Sequence, residues 1–99
     1  MTNLTAPDDC ATMADLRKQI DAIDTMLLDL LATRSRYIDR AIDLKRIEGL
    51  PARTVDRVAE VLSHVTSKAA LIGLDEKLAE TIWTELIEWS IERERKHLG

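Results

Sequence analysis

Ninety-nine residues, 45% of them hydrophobic, suffice for one globular domain with a core and are too few for a second full domain. A formal net charge of −4 argues against a general affinity for nucleic acid or anionic membranes, both of which favour a basic surface. Tyr37, Trp83 and Trp89 are the only aromatic residues and do not alternate with basic side chains in the way that base-stacking surfaces do. Cys10, alone in the chain, can form neither an intrachain disulfide nor a cysteine metal cluster. There is no signal-peptide pattern and no run approaching the roughly 20 apolar residues of a membrane span, so a soluble cytoplasmic protein without a metal site is expected.

In chain order, the polar stretch 1–12 reads as a flexible N-terminal segment, followed by a helical domain over 13–99. A first helix is predicted from Met13 to Glu48, with no internal proline or glycine and a stop at Gly49-Leu50-Pro51. A second begins near Thr54, a capping residue type, carries Val55, Val58, Leu62, Val65, Ala69 and Ile72 at helical spacing, and closes at Gly73. A third starts at Asp75 and places Leu78, Ile82, Leu86 and Ser90 at steps of four. Strand-like alternation is absent, so the fold class is all-α with one very long N-terminal helix.

The length of the first helix has a consequence. At about 1.5 Å per residue it spans roughly 50 Å, whereas a compact chain of this size has a radius of gyration of about 13 Å. A rod of that length needs a second chain along its apolar seam, so three-helix protomers paired as an intertwined homodimer are expected. The alternative is a bent or broken first helix folded back as a monomeric bundle.

Arg34 interrupts the seam of Leu16, Ile20, Ile23, Leu27, Leu30, Tyr37 and Ala41. A cation against an apolar face is unfavourable unless an anion meets it. Lys45 lies about three turns further along nearly the same side, about 16 Å away, which leaves room for a small dicarboxylate between the two side chains. Arginines supply the planar, bidentate donors that carboxylates match, and Arg17, Arg34 and Arg57 are the candidates. Arg17 lies roughly 25 Å from Arg34 along one helix, too far to share a small ligand within a chain, but in an antiparallel dimer it can enter the partner's site. Arg57, at the start of the second helix, either adds to an anion site or is a solvated surface arginine. Ser90 and Glu94 prolong the apolar face of the third helix, or else belong to its frayed, charged end. His64 and His97 read as surface residues, and no nucleophilic triad or phosphate loop is present.

Together, Leu16-Arg17, Ile20-Asp21, Ile23-Asp24, Leu27-Leu28, Leu30-Leu31-Ala32-Thr33-Arg34, Lys45, Pro51, Asp56-Arg57, Gly73-Leu74-Asp75 and Glu88-Trp89-Ser90 resemble the all-helical chorismate mutases and their relatives, the isochorismate pyruvate lyases. The likeness runs from about Asp9 to the C-terminus. It implies an interlocked dimer with two active sites, each built from both protomers, that rearranges chorismate to prephenate in aromatic amino acid biosynthesis. By position, Arg17 resembles the partner-chain arginine that binds a substrate carboxylate, and Arg34 and Arg57 resemble the arginines of the other chain. Lys45 resembles the lysine that reaches the ether oxygen and a carboxylate, Ser90 a carboxylate-binding serine, and Glu94 the second ether-oxygen donor. The pericyclic reaction implied needs no cofactor and no proton transfer; the site holds a folded conformer and stabilises charge developing on the ether oxygen. A carboxylate cannot donate, so Glu94 would have to hold a proton, as an apolar setting favours, and activity is expected to rise toward acidic pH.

Two positions depart from the mutase pattern. Val58 stands where mutases usually place the glutamate that binds the ring hydroxyl, and Thr54 replaces a common aspartate. The apolar Val58, with the stretch Asp9-Cys10 leading to Met13-Ala14-Asp15-Leu16-Arg17, looks more like the lyase branch, which eliminates pyruvate from isochorismate to leave salicylate. Ser90 and Glu94 fit the mutases at least as well, and the expectation is a mutase with the lyase as alternative. A non-catalytic helical dimer is the remaining possibility from a different class.

Overall fold

The computed structural model describes residues 4–98, in which three helices, α1 (Met13–Glu48), α2 (Val55–Ile72) and α3 (Glu76–Leu98), follow a 3-10 turn at Pro7–Asp9. Of the segment expected to be flexible, residues 1–3 lie outside the described residues. Its remainder carries local structure: the Thr5 N–H donates to Gln19 Oε1 at 2.9 Å, and the Asp9 N–H donates to the Ala6 carbonyl at 2.9 Å.

Helix boundaries follow from capping chemistry. The Thr12 hydroxyl accepts the Asp15 N–H at 3.1 Å, satisfying one of the orphan donors at the start of α1. The 36 residues of α1 then run without interruption, as the absence of glycine and proline predicts, so the broken-helix alternative does not form. At its end Gly49 turns into the left-handed region at φ +70°, and the Leu50 N–H reaches back to the Lys45 carbonyl at 2.8 Å. Gly73 repeats this device after α2 at φ +76°, with the Leu74 N–H on the Ala69 carbonyl at 2.8 Å. Asp75 caps α3, its Oδ1 accepting the N–H groups of Lys77 and Leu78. Thr54 occupies the N-cap position of α2 at φ −108°, but its hydroxyl makes no capping bond, so its type marked the boundary without supplying the expected interaction.

The chain divides into two compact units, Met1–Arg36 and Tyr37–Gly99. In the first unit none of the described residues is buried, and Ile20, Ile23, Leu27, Leu28, Leu30 and Leu31 are each between 38% and 66% exposed. The second unit holds the core. Here α2 packs on α3 as a helical hairpin through the short turn at Gly73, and Ile42, Ala69, Ala79, Ile87 and Ile91 are buried. The small side chains of Ala69 and Ala79 are the most deeply enclosed, which suits a close approach of two helix backbones. The last turns of α1 join α3 through polar contacts: Arg93 grips Asp39 with Nε and Nη2 at 2.5 and 3.2 Å, and Arg46 Nη2 donates to the His97 carbonyl at 2.9 Å.

Candidate active site

The second unit also buries two polar side chains, Ser90 and Glu94, each only 4% exposed. They lie one turn apart on α3, on the face that carries Ile87 and Ile91 into the core. The frayed-end reading of these residues is therefore overturned, because packing encloses them despite the charged run around Glu94. The Ser90 hydroxyl donates to the Leu86 carbonyl at 2.8 Å.

Opposite Glu94 stands Lys45, from the last turn of α1. Its Nζ is 2.6 Å from Glu94 Oε1, and the two side chains are 18% and 5% exposed. The contact is at ion-pair distance without hydrogen-bond alignment, since Oε1 is buried and has no hydrogen-bond partner. The well-aligned bond of the lysine goes elsewhere, to the backbone carbonyl of Ala52 at 2.6 Å in the α1–α2 connection. A buried carboxyl oxygen that meets an ammonium without an aligned hydrogen bond is a place where a ligand atom can improve the hydrogen bonding.

The other candidates are placed differently. Thr54 and Val58 are half-buried at the start of α2, and Val58 presents an apolar side chain there. Arg57 is exposed and paired with Glu60 on its own helix, so in the ligand-free chain it is a solvated surface arginine. Arg34 is half-buried and Arg17 exposed, both in the first unit. The structure thus brings Lys45 and Glu94 together in the second unit, with Ser90 one turn from Glu94 on the same buried face of α3.

Set beside known proteins, residues 16–95 match the family described as chorismate mutase type II. The chain belongs to that family. Among its relatives, the isochorismate pyruvate lyase of Pseudomonas aeruginosa is 34% identical over 92 residues, spanning 92% of this chain and 89% of the lyase. The chorismate mutase of Methanocaldococcus jannaschii is 26% identical over 86 residues, 87% of each chain. The T-protein of Enterobacter agglomerans is 35% identical over 72 residues, which are 73% of this chain but only 19% of that longer protein.

In this chorismate mutase-type chain some interactions around the site were not legible beforehand. Arg53 Nη2 meets Glu88 Oε2 at 2.7 Å, tying the α1–α2 connection to α3. The Arg53 guanidinium beside Glu88 holds that carboxyl below the usual carboxylate range, and Arg93 does the same for Asp39. Arg93 also lies 5.5 Å above the Trp89 ring, a cation–π distance. A shallow cleft of about 470 Å³ opens beside Lys45, with Arg46, Arg53, Arg95, Leu50 and Leu98 among its walls. Helical periodicity carries no signal for such pairs, because it reports one face of one element and not which distant side chain faces it. No described helix is long and apolar enough to cross a membrane.

Proposed function

We propose that this member of the family is a chorismate mutase, rearranging chorismate to prephenate in the aromatic branch of the shikimate pathway, in a homodimer whose two sites each draw Arg17 from the partner chain. The reading is carried by the buried meeting of Lys45 and Glu94 with Ser90 one turn away. A rearrangement that breaks a C–O bond and forms a C–C bond needs no nucleophile, only a held conformer and donors aimed at the oxygen that gains charge. Lys45 is the first donor, and Glu94 in its protonated form is the second. Ser90, Arg34, Arg57 and the partner's Arg17 bind the two carboxylates, each arginine offering a bidentate fork. Thr54 and Val58 line the side of the site that receives the ring.

The dimer is supported by the apolar stripe of the first unit, six leucines and isoleucines that the protomer leaves exposed. Localisation in the cytoplasm fits a chain whose described helices include no candidate span.

A second reading is isochorismate pyruvate lyase. It is favoured by Val58, which offers no carboxylate to a ring hydroxyl, and by the likeness to the Pseudomonas lyase over 92% of this chain. The same cations would then promote loss of pyruvate. Incubating the purified protein separately with chorismate and isochorismate, and identifying products by chromatography with mass detection, decides between them. Prephenate from chorismate, with little or no salicylate from isochorismate, supports the mutase. Efficient release of salicylate and pyruvate assigns the lyase, and turnover of neither removes both readings.

A further inference from the structure

Lys45 is held from two sides, by a helix and by an interhelical connection. Glu94 sits in the middle of the last turns of α3, whereas Ala52 belongs to the non-helical connection 49–54, which begins with Gly49 at φ +70°. The Ala52 carbonyl shares its rigid peptide plane with the nitrogen of Arg53. Anchoring Arg53 therefore restrains the Cα that ends this plane and narrows the directions open to the carbonyl. The Arg53 side chain is anchored on Glu88 of α3 at 2.7 Å. A continuous path results: Glu88, Arg53, the Ala52 carbonyl, the Lys45 ammonium at 2.6 Å and Glu94 at 2.6 Å. Both ends of the path rest on the same helix.

Other cations of the adjoining cleft are arranged otherwise. Arg95 pairs with Glu92 within α3, and Arg46 leans on Asp43 within α1 while donating to the His97 carbonyl. Arg53 alone among these three belongs to the connection itself. We propose that Arg53 is a positioning residue for Lys45: its bridge to Glu88 clamps the α1–α2 connection onto α3, so that the Ala52 carbonyl holds the lysine amine in the orientation the reaction uses. An exposed ion pair adds little to global stability, so the clamp can be removed without unfolding the chain. A displacement of a reacting group by about 1 Å can lower a rate by about a hundredfold, so the same pair can matter greatly to turnover.

The kinetic side of this inference rests on the function proposed above; the geometric side does not. The test compares Arg53→Ala, Glu88→Gln and the charge-swapped double variant Arg53→Glu with Glu88→Arg, using Arg95→Ala as the control for loss of a nearby cation. In each single variant kcat is expected to fall at least about tenfold with KM changed less than about threefold, the pattern of a contact that matters to the transition state more than to binding. The swapped pair regains most of the loss, Arg95→Ala stays within about twofold of the parent, and melting temperatures hold within a few degrees. In ligand-free protein, acylation of Lys45 by acetic anhydride, read by peptide mass spectrometry, is expected to be several times faster in Arg53→Ala and to return toward the parent rate in the swapped pair. Unchanged kcat in both single variants, a rise in KM alone, or an unchanged Lys45 acylation rate would overturn the proposal. If the parent turns over neither chorismate nor isochorismate, the functional reading falls, and the acylation rates alone decide whether Arg53 positions Lys45.

Discussion

The two parts of α1 present the same pattern to opposite surroundings. From Tyr37 to Glu48 the helix belongs to a unit with a core: Ile42 is buried, and Asp39 and Lys45 are each met by a side chain of α3. Up to Arg36 the apolar residues recur just as regularly, yet none of the described residues is buried. Periodicity therefore states which face of a helix requires cover and leaves open whose surface covers it. Here the protomer covers one part itself and leaves the other exposed.

The sharpest contrast is expected from catalysis. Lys45→Ala should lower kcat by about 10²–10³-fold, the usual loss when one preorganised donor to a developing oxyanion is removed. Steady-state rates with the preferred substrate measure it, and a loss under about tenfold would take Lys45 out of the proposed role.

Next comes packing. Ile91→Ala should destabilise the folded chain by about 2–5 kcal/mol, because a buried side chain is replaced by a cavity. If Leu30 met only water, Leu30→Ala would change stability by less than about 0.5 kcal/mol. In the proposed dimer it costs several times that, and melting becomes dependent on protein concentration. Denaturant melts of both variants at two concentrations therefore test whether the first part of α1 is covered as the second part is. A concentration-independent Leu30→Ala with parental stability argues for a monomer.

A subtler test replaces the carboxyl of the site by a permanent donor: if Glu94 acts as the second donor, Glu94→Gln should keep or gain activity at neutral pH. Steady-state rates of the parent and of Glu94→Gln at neutral pH decide this, and a loss of more than about tenfold in the glutamine variant removes the donor role.

The smallest effect is expected at the exposed pairs. Asp39 beside Arg93 and Glu88 beside Arg53 have lowered proton affinity in the folded chain. Their contribution is complete above their ordinary values of 3.8 and 4.5 and is lost as pH falls through the lowered folded values. Asp39→Asn should therefore be slightly less stable than the parent at neutral pH, with the gap closing in strong acid. A gap that widens on acidification would reverse the sign argued here.

How much could be read in advance differs between features for physical reasons. The stops at Gly49 and Gly73 and the cap at Asp75 were legible because each depends on one residue's own conformational or hydrogen-bonding preference. Thr54 shows the limit of that reasoning, since its residue type marked the start of α2 while its hydroxyl caps nothing. Ser90 and Glu94 were ambiguous because the same spacing suits a buried face and a frayed end, and Arg57 was ambiguous because a cation at a helix start suits a site and a surface alike. The clamp of Arg53 on Glu88 left no trace in spacing at all.

By itself the sequence determined the three helices, their stops, the apolar stripes and the set of cations, because these follow from local preferences and from the period of 3.6 residues per turn. Only the tertiary structure decided that Lys45 meets Glu94, that Ser90 is enclosed beside it and that Arg57 is turned to Glu60. Those outcomes depend on which elements come to face each other, and the burial that settles them is a property of the packed unit and not of any one helix.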